Sequence, residues 1–310
     1  MSKPGPGASG PADAVNGSWV ESAPRTLQPY LRLSRFDRPI GFWLLGLPCL
    51  AGLIFARLHT GLAPIDAWYS ALFMVGAVAM RGAGCTYNDI LDKDIDAEVE
   101  RTARRPIPAG GVSIRQAWVW LIGQCVVGLL VLLMLPLPAQ IIGLVSIPLV
   151  ALYPIMKRIT WWPQAWLGLT MNWGVLVGAA TARGAIAPED VALYFALGFW
   201  TIGYDTIYAA QDREDDALVG VRSTARLFGS RIRSGVWVFY ILTIAASAVA
   251  FALTGDLLAL GLIAPFGLHL LFQATRFAPE NNPLSLRLFR SNRDAAILLV
   301  VGLSIAATLP

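Results

Sequence analysis

Two short acidic segments contain the residues of this chain whose types and spacing suggest chemistry. Residues 88–96, the first motif, read Asn-Asp-Ile-Leu-Asp-Lys-Asp-Ile-Asp, and residues 212–216, the second motif, read Asp-Arg-Glu-Asp-Asp. Side chains four or eight positions apart lie on one face of a helix. The side chains that would share such a face are Asn88, Asp92 and Asp96 in the first motif and Asp212 and Asp216 in the second.

Carboxylates clustered in this way repel one another unless a cation neutralises them. Oxygen ligands that leave room for water and for a substrate's phosphate groups suit Mg²⁺. The motifs therefore predict Mg²⁺ as the cofactor and a diphosphate as part of the substrate. The alternative is that both are solvated acidic loops at a membrane surface. The matching spacing of two acidic pairs in otherwise basic loops favours the metal site.

Basic side chains follow the acidic segments along the chain. Arg105 lies in a proline-bounded turn, Arg-Arg-Pro-Ile-Pro, soon after the first motif, and Lys157 and Arg158 end the fourth apolar run. Such side chains suit phosphate oxygens. We expect Arg105, Lys157 and Arg158 to bind the diphosphate. For most other basic residues in these loops, membrane topology is the better explanation.

Two charged residues lie inside apolar runs. Arg81 precedes Asn88 by seven residues, and Asp205 precedes Asp212 by seven, which is close to two helical turns. A charge at this depth costs at least about 2.5 kcal/mol, which makes each residue a site candidate. We expect one cavity, with metal and diphosphate at its cytoplasmic mouth and Arg81 and Asp205 at its floor. Arg81 could bind the carboxylate of a second substrate that accepts a transferred group. Alternatively, Arg81 and Asp205 could form an ion pair that joins two helices, and both roles are compatible.

The elements that must position these residues are membrane helices. The chain has 310 residues, of which 56% are hydrophobic and 14% charged, whereas soluble domains carry about 25% charged residues. Its apolar runs approach the roughly 20 residues that cross a bilayer as a helix, and they lack the alternation of strands. The pattern predicts an all-α bundle of nine transmembrane helices around a central cavity. The predicted spans are 40–58, 66–87, 114–135, 137–156, 163–182, 190–210, 234–253, 256–274 and 293–309.

The basic residues also predict the orientation. Nearly all of the 24 Lys and Arg residues fall in the N-terminal segment and the even-numbered loops, which places these segments in the cytoplasm. Residues 1–24, rich in Gly, Pro, Ala and Ser, are expected to be a disordered tail before a single transmembrane domain at 25–310. The tail lacks the arginines of a mitochondrial transit peptide, which favours a bacterial inner membrane. The alternative is a mitochondrial inner membrane with the N-terminus in the matrix.

Few residues of this chain suit other metal or redox chemistry. Its two histidines, His59 and His269, cannot form a histidine metal site by themselves, and its three cysteines lack CxxC spacing. The expected partners are the lipid bilayer and small-molecule substrates, with no nucleic acid.

Several of these segments resemble the UbiA superfamily of intramembrane prenyltransferases. The resemblance is carried by residues 80–92 and 101–110. Residues 204–216, Gly220 and residues 223–225 resemble the 4-hydroxybenzoate polyprenyltransferase branch of that superfamily, as do residues 37–41 and 153–158.

The resemblance implies a nine-helix bundle and a reaction. A polyprenyl group would pass from its diphosphate to the ring carbon ortho to the hydroxyl of 4-hydroxybenzoate, in ubiquinone biosynthesis. Asp205 could orient or partly deprotonate that hydroxyl. The resemblance assigns the metal and diphosphate to Asn88, Asp92, Asp96, Asp212 and Asp216, adds Asp215 as a further carboxylate, and places Arg81 and Asp205 near the aromatic acceptor.

Three other functions remain open at the level of sequence. A sister prenyltransferase would use homogentisate, a naphthoate, haem or chlorophyllide as the acceptor. A cation transporter would favour charges at the bilayer midplane on broken, repeated helices, whereas these acidic clusters lie at one surface. A lipid-binding scaffold would bind a prenyl diphosphate without turning it over.

Overall fold

The chain folds into helices and turns. The computed structural model describes residues 17–98, 102–218 and 220–309, and these residues include no strand. The prediction of an all-α fold is therefore confirmed. In chain order the helices are α1 (Gln28–Leu33), α2 (Ile40–Phe55), α3 (Pro64–Leu91), α4 (Lys93–Glu98), α5 (Ile114–Leu133), α6 (Leu137–Val145), α7 (Ile147–Ile159), α8 (Pro163–Arg183), α9 (Pro188–Ala209), α10 (Arg213–Leu218), α11 (Thr224–Phe228), α12 (Ile232–Thr254), α13 (Leu257–Leu262), α14 (Ala264–Arg276), α15 (Asn282–Arg290) and α16 (Asn292–Ala306).

Three helical stretches among the described residues are long and apolar enough to cross a membrane: Ile114–Leu133, Leu137–Ile159 and Thr224–Thr254. In the first, only 11% of the most apolar window is buried inside the protein. Apolar surface of this extent is disfavoured in water and is typical of a surface solvated by lipid. The chain is therefore a polytopic membrane protein, while the count of nine spans stays a prediction.

Contacts divide the chain into two compact units, the first of which comprises residues 1–41 and 78–129. Its described core contains Leu33, Ile90, Ile107, Val112 and Ala117. Because Ile90 belongs to this core, the first motif is anchored by apolar packing to α1, to the segment after α4 and to α5.

The second unit comprises residues 42–77 and 130–310. Here α2 and α8 approach each other closely. A Cβ added at Gly52 would lie 2.1 Å from the backbone oxygen of Val175, and one added at Gly178 would lie 2.1 Å from that of Cys49. Small residues permit this backbone contact, as is common between membrane helices.

A buried amide joins α8 to α9 within the second unit. Asn172 donates hydrogen bonds from Nδ2 to the Leu197 carbonyl at 3.1 Å and to Thr201 Oγ1 at 2.7 Å. The side chains of Trp200 and Tyr204 are almost fully buried on α9. This packing fixes the helix that carries Asp205 and leads into the second motif.

The N-terminal tail is described only in part. Residues 1–16 lie outside the described residues, and Trp19–Ser22 form a short 3₁₀ turn. The predicted disordered tail and the single domain at 25–310 stay predictions.

Candidate functional site

The first motif keeps its helical register where α3 gives way to α4. The Asp92 N–H donates to the Asn88 carbonyl at 2.9 Å, and the Asp96 N–H donates to the Asp92 carbonyl at 2.7 Å. These are i to i−4 bonds, so the three residues share one face across the break, in agreement with the sequence pattern. Asp92 and Asp96 are buried and Asn88 is half-buried.

Two arginines form ion pairs with Asp89 and Asp96 of the first motif. Arg105 Nη1 lies 2.7 Å from Asp96 Oδ2 and 3.2 Å from Asp89 Oδ1. Arg35 Nη2 lies 2.6 Å from the same Asp89 oxygen. Arg105 was expected to bind a diphosphate, and in this structure it also forms part of the acidic cluster itself.

The turn after α4 holds this arginine in place. Thr102 Oγ1 donates to the Asp96 carbonyl at 2.9 Å, and the Arg105 N–H donates to the Thr102 carbonyl at 2.8 Å. Burial raises the pKa of Asp96, the Arg105 guanidinium opposes this, and the nearby charges of Asp89 and Asp92 raise the pKa further. A divalent cation beside Asp96 would favour its charged form.

Arg81 lies two turns before Asn88 on the unbroken helix α3. A Cβ added at Gly41 would lie 2.4 Å from Arg81 Nε. The missing side chain at Gly41 therefore leaves room for the arginine side chain. The predicted shared face of Arg81 and Asn88 agrees with this continuous helix.

The second motif follows the C-terminal end of α9. A 3₁₀ turn at Ala210–Asp212 separates α9 from α10. Such a turn has about three residues per turn rather than 3.6, so the shared face expected for Asp205 and Asp212 is only approximate. Both are half-buried, as is Asp216.

The side chain of Asp215 lies outside the described part of the chain, so its predicted metal role stays a prediction. Arg226 contacts the second motif through a hydrogen bond: its Nη1 donates to the Asp216 carbonyl at 3.2 Å.

The end of α7, which carries Lys157 and Arg158, is tied to the segment after the second motif. The Arg222 N–H donates to the Lys157 carbonyl at 3.0 Å, and its Nη1 donates to the Ile159 carbonyl at 2.5 Å. The Arg222 and Arg226 guanidinium carbons lie 5.8 and 5.3 Å from the centre of the Trp161 ring. Within the second unit, these cation–π contacts and the two hydrogen bonds tie the end of α7 to the segment that follows the second motif.

The donor chemistry of the motifs fits Mg²⁺. Among the described residues, no three carboxylate, imidazole or thiol groups form a ready-made metal cage. Mg²⁺ is usually held by one or two carboxylates, with substrate phosphates and water completing its coordination. Asp92 and Asp96, with the Asn88 amide oxygen, provide donors of this kind.

Sequence reasoning missed Arg35 and Asp89. Asp89 is not reached by the steps of four residues that link Asn88, Asp92 and Asp96. Two signals could have found it: its position in an acidic run, and its spacing of three residues from Asp92 and seven from Asp96, which is also a helical spacing. Arg35 belongs to the basic N-terminal segment that predicts the topology, and nothing in its local sequence indicates a buried ion pair.

Comparison with known proteins places these features in context. Residues 45–302 match the model of the UbiA prenyltransferase family. The mouse (Mus musculus) protein named "4-hydroxybenzoate polyprenyltransferase, mitochondrial" is 45% identical over 286 residues, which cover 92% of this chain and 76% of the mouse protein.

Two solved structures share the fold. The apo UbiA homolog from Aeropyrum pernix K1 has a TM-score of 0.71 at 24% identity, covering 85% of this chain and 97% of that one. The UbiA homolog from Archaeoglobus fulgidus bound to GPP and Mg²⁺ has a TM-score of 0.68 at 19% identity, covering 91% of this chain and 100% of that one.

Proposed function

Because the chain belongs to the UbiA prenyltransferase family, we propose that it transfers a polyprenyl group from polyprenyl diphosphate to 4-hydroxybenzoate and releases diphosphate. The new bond forms at the ring carbon ortho to the hydroxyl, as a step of ubiquinone biosynthesis. The observation that carries this proposal is the 45% identity, over 92% of the chain, to a protein named for that activity.

The two motifs would bind the metal and the diphosphate. The proposed Mg²⁺ ligands are Asn88, Asp92, Asp96, Asp212, Asp215 and Asp216. When bound, Mg²⁺ would stabilise the charge that develops on the diphosphate oxygens as the allylic C–O bond breaks. The Archaeoglobus homolog, which shares the fold, was solved with GPP and Mg²⁺ bound together, which supports this proposal.

Basic side chains would add to this stabilisation. Lys157 and Arg158 would bind phosphate oxygens from the end of α7. The Arg105 guanidinium presents five donors in a planar fork, and both of its ion pairs to Asp89 and Asp96 are made by Nη1. It could therefore serve the carboxylates through Nη1 and a phosphate oxygen through another nitrogen.

Arg81 and Asp205 would serve the acceptor. Arg81 would bind the carboxylate of 4-hydroxybenzoate, and Asp205 would accept a hydrogen bond from its hydroxyl. That hydrogen bond increases the electron density of the ring, whose ortho carbon attacks the allylic carbon. The ring carbon then loses its proton, which the released diphosphate can accept, and the ring regains its aromaticity.

The experiment combines a substrate panel with motif variants. Membranes containing the protein are incubated with geranyl diphosphate and a panel of 4-hydroxybenzoate, homogentisate and a hydroxynaphthoate, with and without EDTA, and the products are identified by mass. We expect a prenylated 4-hydroxybenzoate that disappears with EDTA and in Asp92→Ala or Asp212→Ala. The control is Asp94→Asn, whose side chain is 88% exposed. Normal activity in either alanine variant would overturn the metal assignment, and a product from another acceptor alone would overturn the substrate.

We further propose a bacterial inner membrane and a cytoplasmic N-terminus. The distribution of Lys and Arg supports the orientation. The word mitochondrial in the name of the mouse relative fits the alternative location. A topology reporter inserted after Glu98 should report the cytoplasmic side and one inserted after Gly184 the opposite side. The reverse assignment, or a common side for both, would contradict the orientation.

A further inference from the structure

The first motif contains a buried carboxylate that the proposed reaction does not use. Asp89 is fully buried in the first unit. It lies three positions before Asp92 and seven before Asp96, so it borders the face shared by Asn88, Asp92 and Asp96 on the Asp96 side. A buried carboxylate without compensation is costly, which raises the question of what this one contributes.

Asp89 belongs to a row of alternating charges. Arg35 Nη2 binds its Oδ1 at 2.6 Å, Arg105 Nη1 binds the same oxygen at 3.2 Å, and that Nη1 also binds Asp96 Oδ2 at 2.7 Å. The order is therefore Arg35, Asp89, Arg105, Asp96. The last member is a proposed metal ligand, and the first lies outside both motifs.

Arg35 is held in an unusual backbone conformation. Its φ angle is +63°, in the left-handed region that non-glycine residues rarely adopt. Such a conformation is strained and persists only where surrounding contacts determine it. The contacts are visible, because Arg35 Nη1 donates to the Arg32 and Leu33 carbonyls at 3.1 and 3.3 Å while Nη2 binds Asp89.

We propose that Asp89, held by Arg35, is a positioning residue for the metal-binding face of the first motif. Asp89 and Asp96 both bind the Arg105 guanidinium. Arg105 therefore orients the Asp96 carboxylate but does not pair with Asp96 alone. Without the charge of Asp89, Arg105 would pair with Asp96 alone and compete with Mg²⁺ for that carboxylate. The inference rests on the proposed function of the first motif.

The test is the Mg²⁺ dependence of prenyl transfer by Asp89→Asn in the full-length protein. The substitution keeps the shape of the side chain and removes its charge. We expect the Mg²⁺ concentration for half-maximal activity to rise about 10-fold to 100-fold, the usual effect of losing a partner that orients a metal ligand, while kcat recovers at saturating Mg²⁺. The matched control is Asp94→Asn, which removes the same charge from an exposed position of the same motif and should leave the curve unchanged.

A purely structural ion pair predicts a different result. It would reduce the amount of folded protein, measured by size-exclusion chromatography in detergent, and leave the Mg²⁺ dependence of the folded fraction as in the wild type. That result would overturn the proposal. If Asp89→Asn does not fold, Arg35→Lys decides, because it keeps one charge beside Asp89 but loses the planar fork. A shifted Mg²⁺ curve for the folded protein supports the proposal, and an unchanged curve overturns it.

The proposed function fails separately from this inference. Full activity in Asp92→Ala would remove the metal site itself. An inactive Asp92→Ala together with a wild-type Mg²⁺ curve in Asp89→Asn would remove only the positioning role.

Discussion

Asp92 and Asp96 are buried carboxylates in a chain that is mostly apolar. The Arg105 guanidinium offsets part of their charge, and a divalent ion shared with a diphosphate would offset the rest. Arg81 carries the opposite charge on α3, two turns before Asn88 and about three turns before Asp92. At the scale of single residues, the sequence thus separates a group suited to a metal from a group suited to the carboxylate of an acceptor.

Replacing Arg81 with alanine should weaken acceptor binding selectively. A hydrogen bond to a charged group contributes about 1.5–3 kcal/mol, so we expect the KM for 4-hydroxybenzoate to rise roughly 10-fold to 100-fold while the KM for the prenyl diphosphate stays constant. Steady-state kinetics with each substrate varied in turn measures both constants.

The methyl ester of 4-hydroxybenzoate provides the control for this prediction, because it lacks the carboxylate charge. The wild-type protein should prefer the acid over the ester, and Arg81→Ala should lose that preference. An acid-to-ester ratio that is the same in both proteins would contradict the role of Arg81.

At the scale of elements, helix register carries the site. The first motif works as one face because backbone hydrogen bonds continue from α3 into α4. Gly41, at the start of α2, contributes by having no side chain, since any Cβ there would meet Arg81. The register of a helix and the absence of a side chain on a neighbouring helix therefore matter as much as the charged groups.

Gly41→Ala should displace Arg81 without unfolding the protein. The added Cβ would lie 2.4 Å from Nε and 3.2 Å from Cδ of a long, flexible side chain, so the arginine can move at small cost to stability. We expect a higher KM for 4-hydroxybenzoate and a nearly unchanged melting temperature in detergent.

Gly123→Ala is the matched control for Gly41→Ala, because Gly123 is exposed on α5 and a Cβ there meets nothing within 4 Å. It should leave the KM unchanged and, as an alanine within α5, should not destabilise the helix. Equal KM values for all three proteins would show that Gly41 does not make room for the acceptor-binding group.

At the scale of the whole molecule, the local features were predictable and the distant ones were not. Helix class and the face of the first motif follow from hydropathy and spacing, which are properties of neighbouring residues. The pair between Arg35 and Asp89 joins residues 54 positions apart, and no local pattern encodes it. The 3₁₀ turn at Ala210–Asp212 shifts the second motif from its expected helical register. The spacing of residues in the sequence does not predict such a turn, because it depends on tertiary packing.

The exposed apolar surface of α5 allows a test of whether a lipid bilayer surrounds this helix. Val126 lies near the middle of this helix and is 49% exposed, whereas Val119 lies near its start and is 66% exposed. A lysine in the middle of a membrane span costs roughly 2.5–3.5 kcal/mol on insertion scales, but near an end the long side chain reaches the polar interface. Val126→Lys should therefore lower the yield of membrane-inserted, folded protein much more than Val119→Lys, measured by membrane fractionation and size-exclusion chromatography. In water both exposed positions would accept lysine equally, so equal yields would contradict a bilayer around α5.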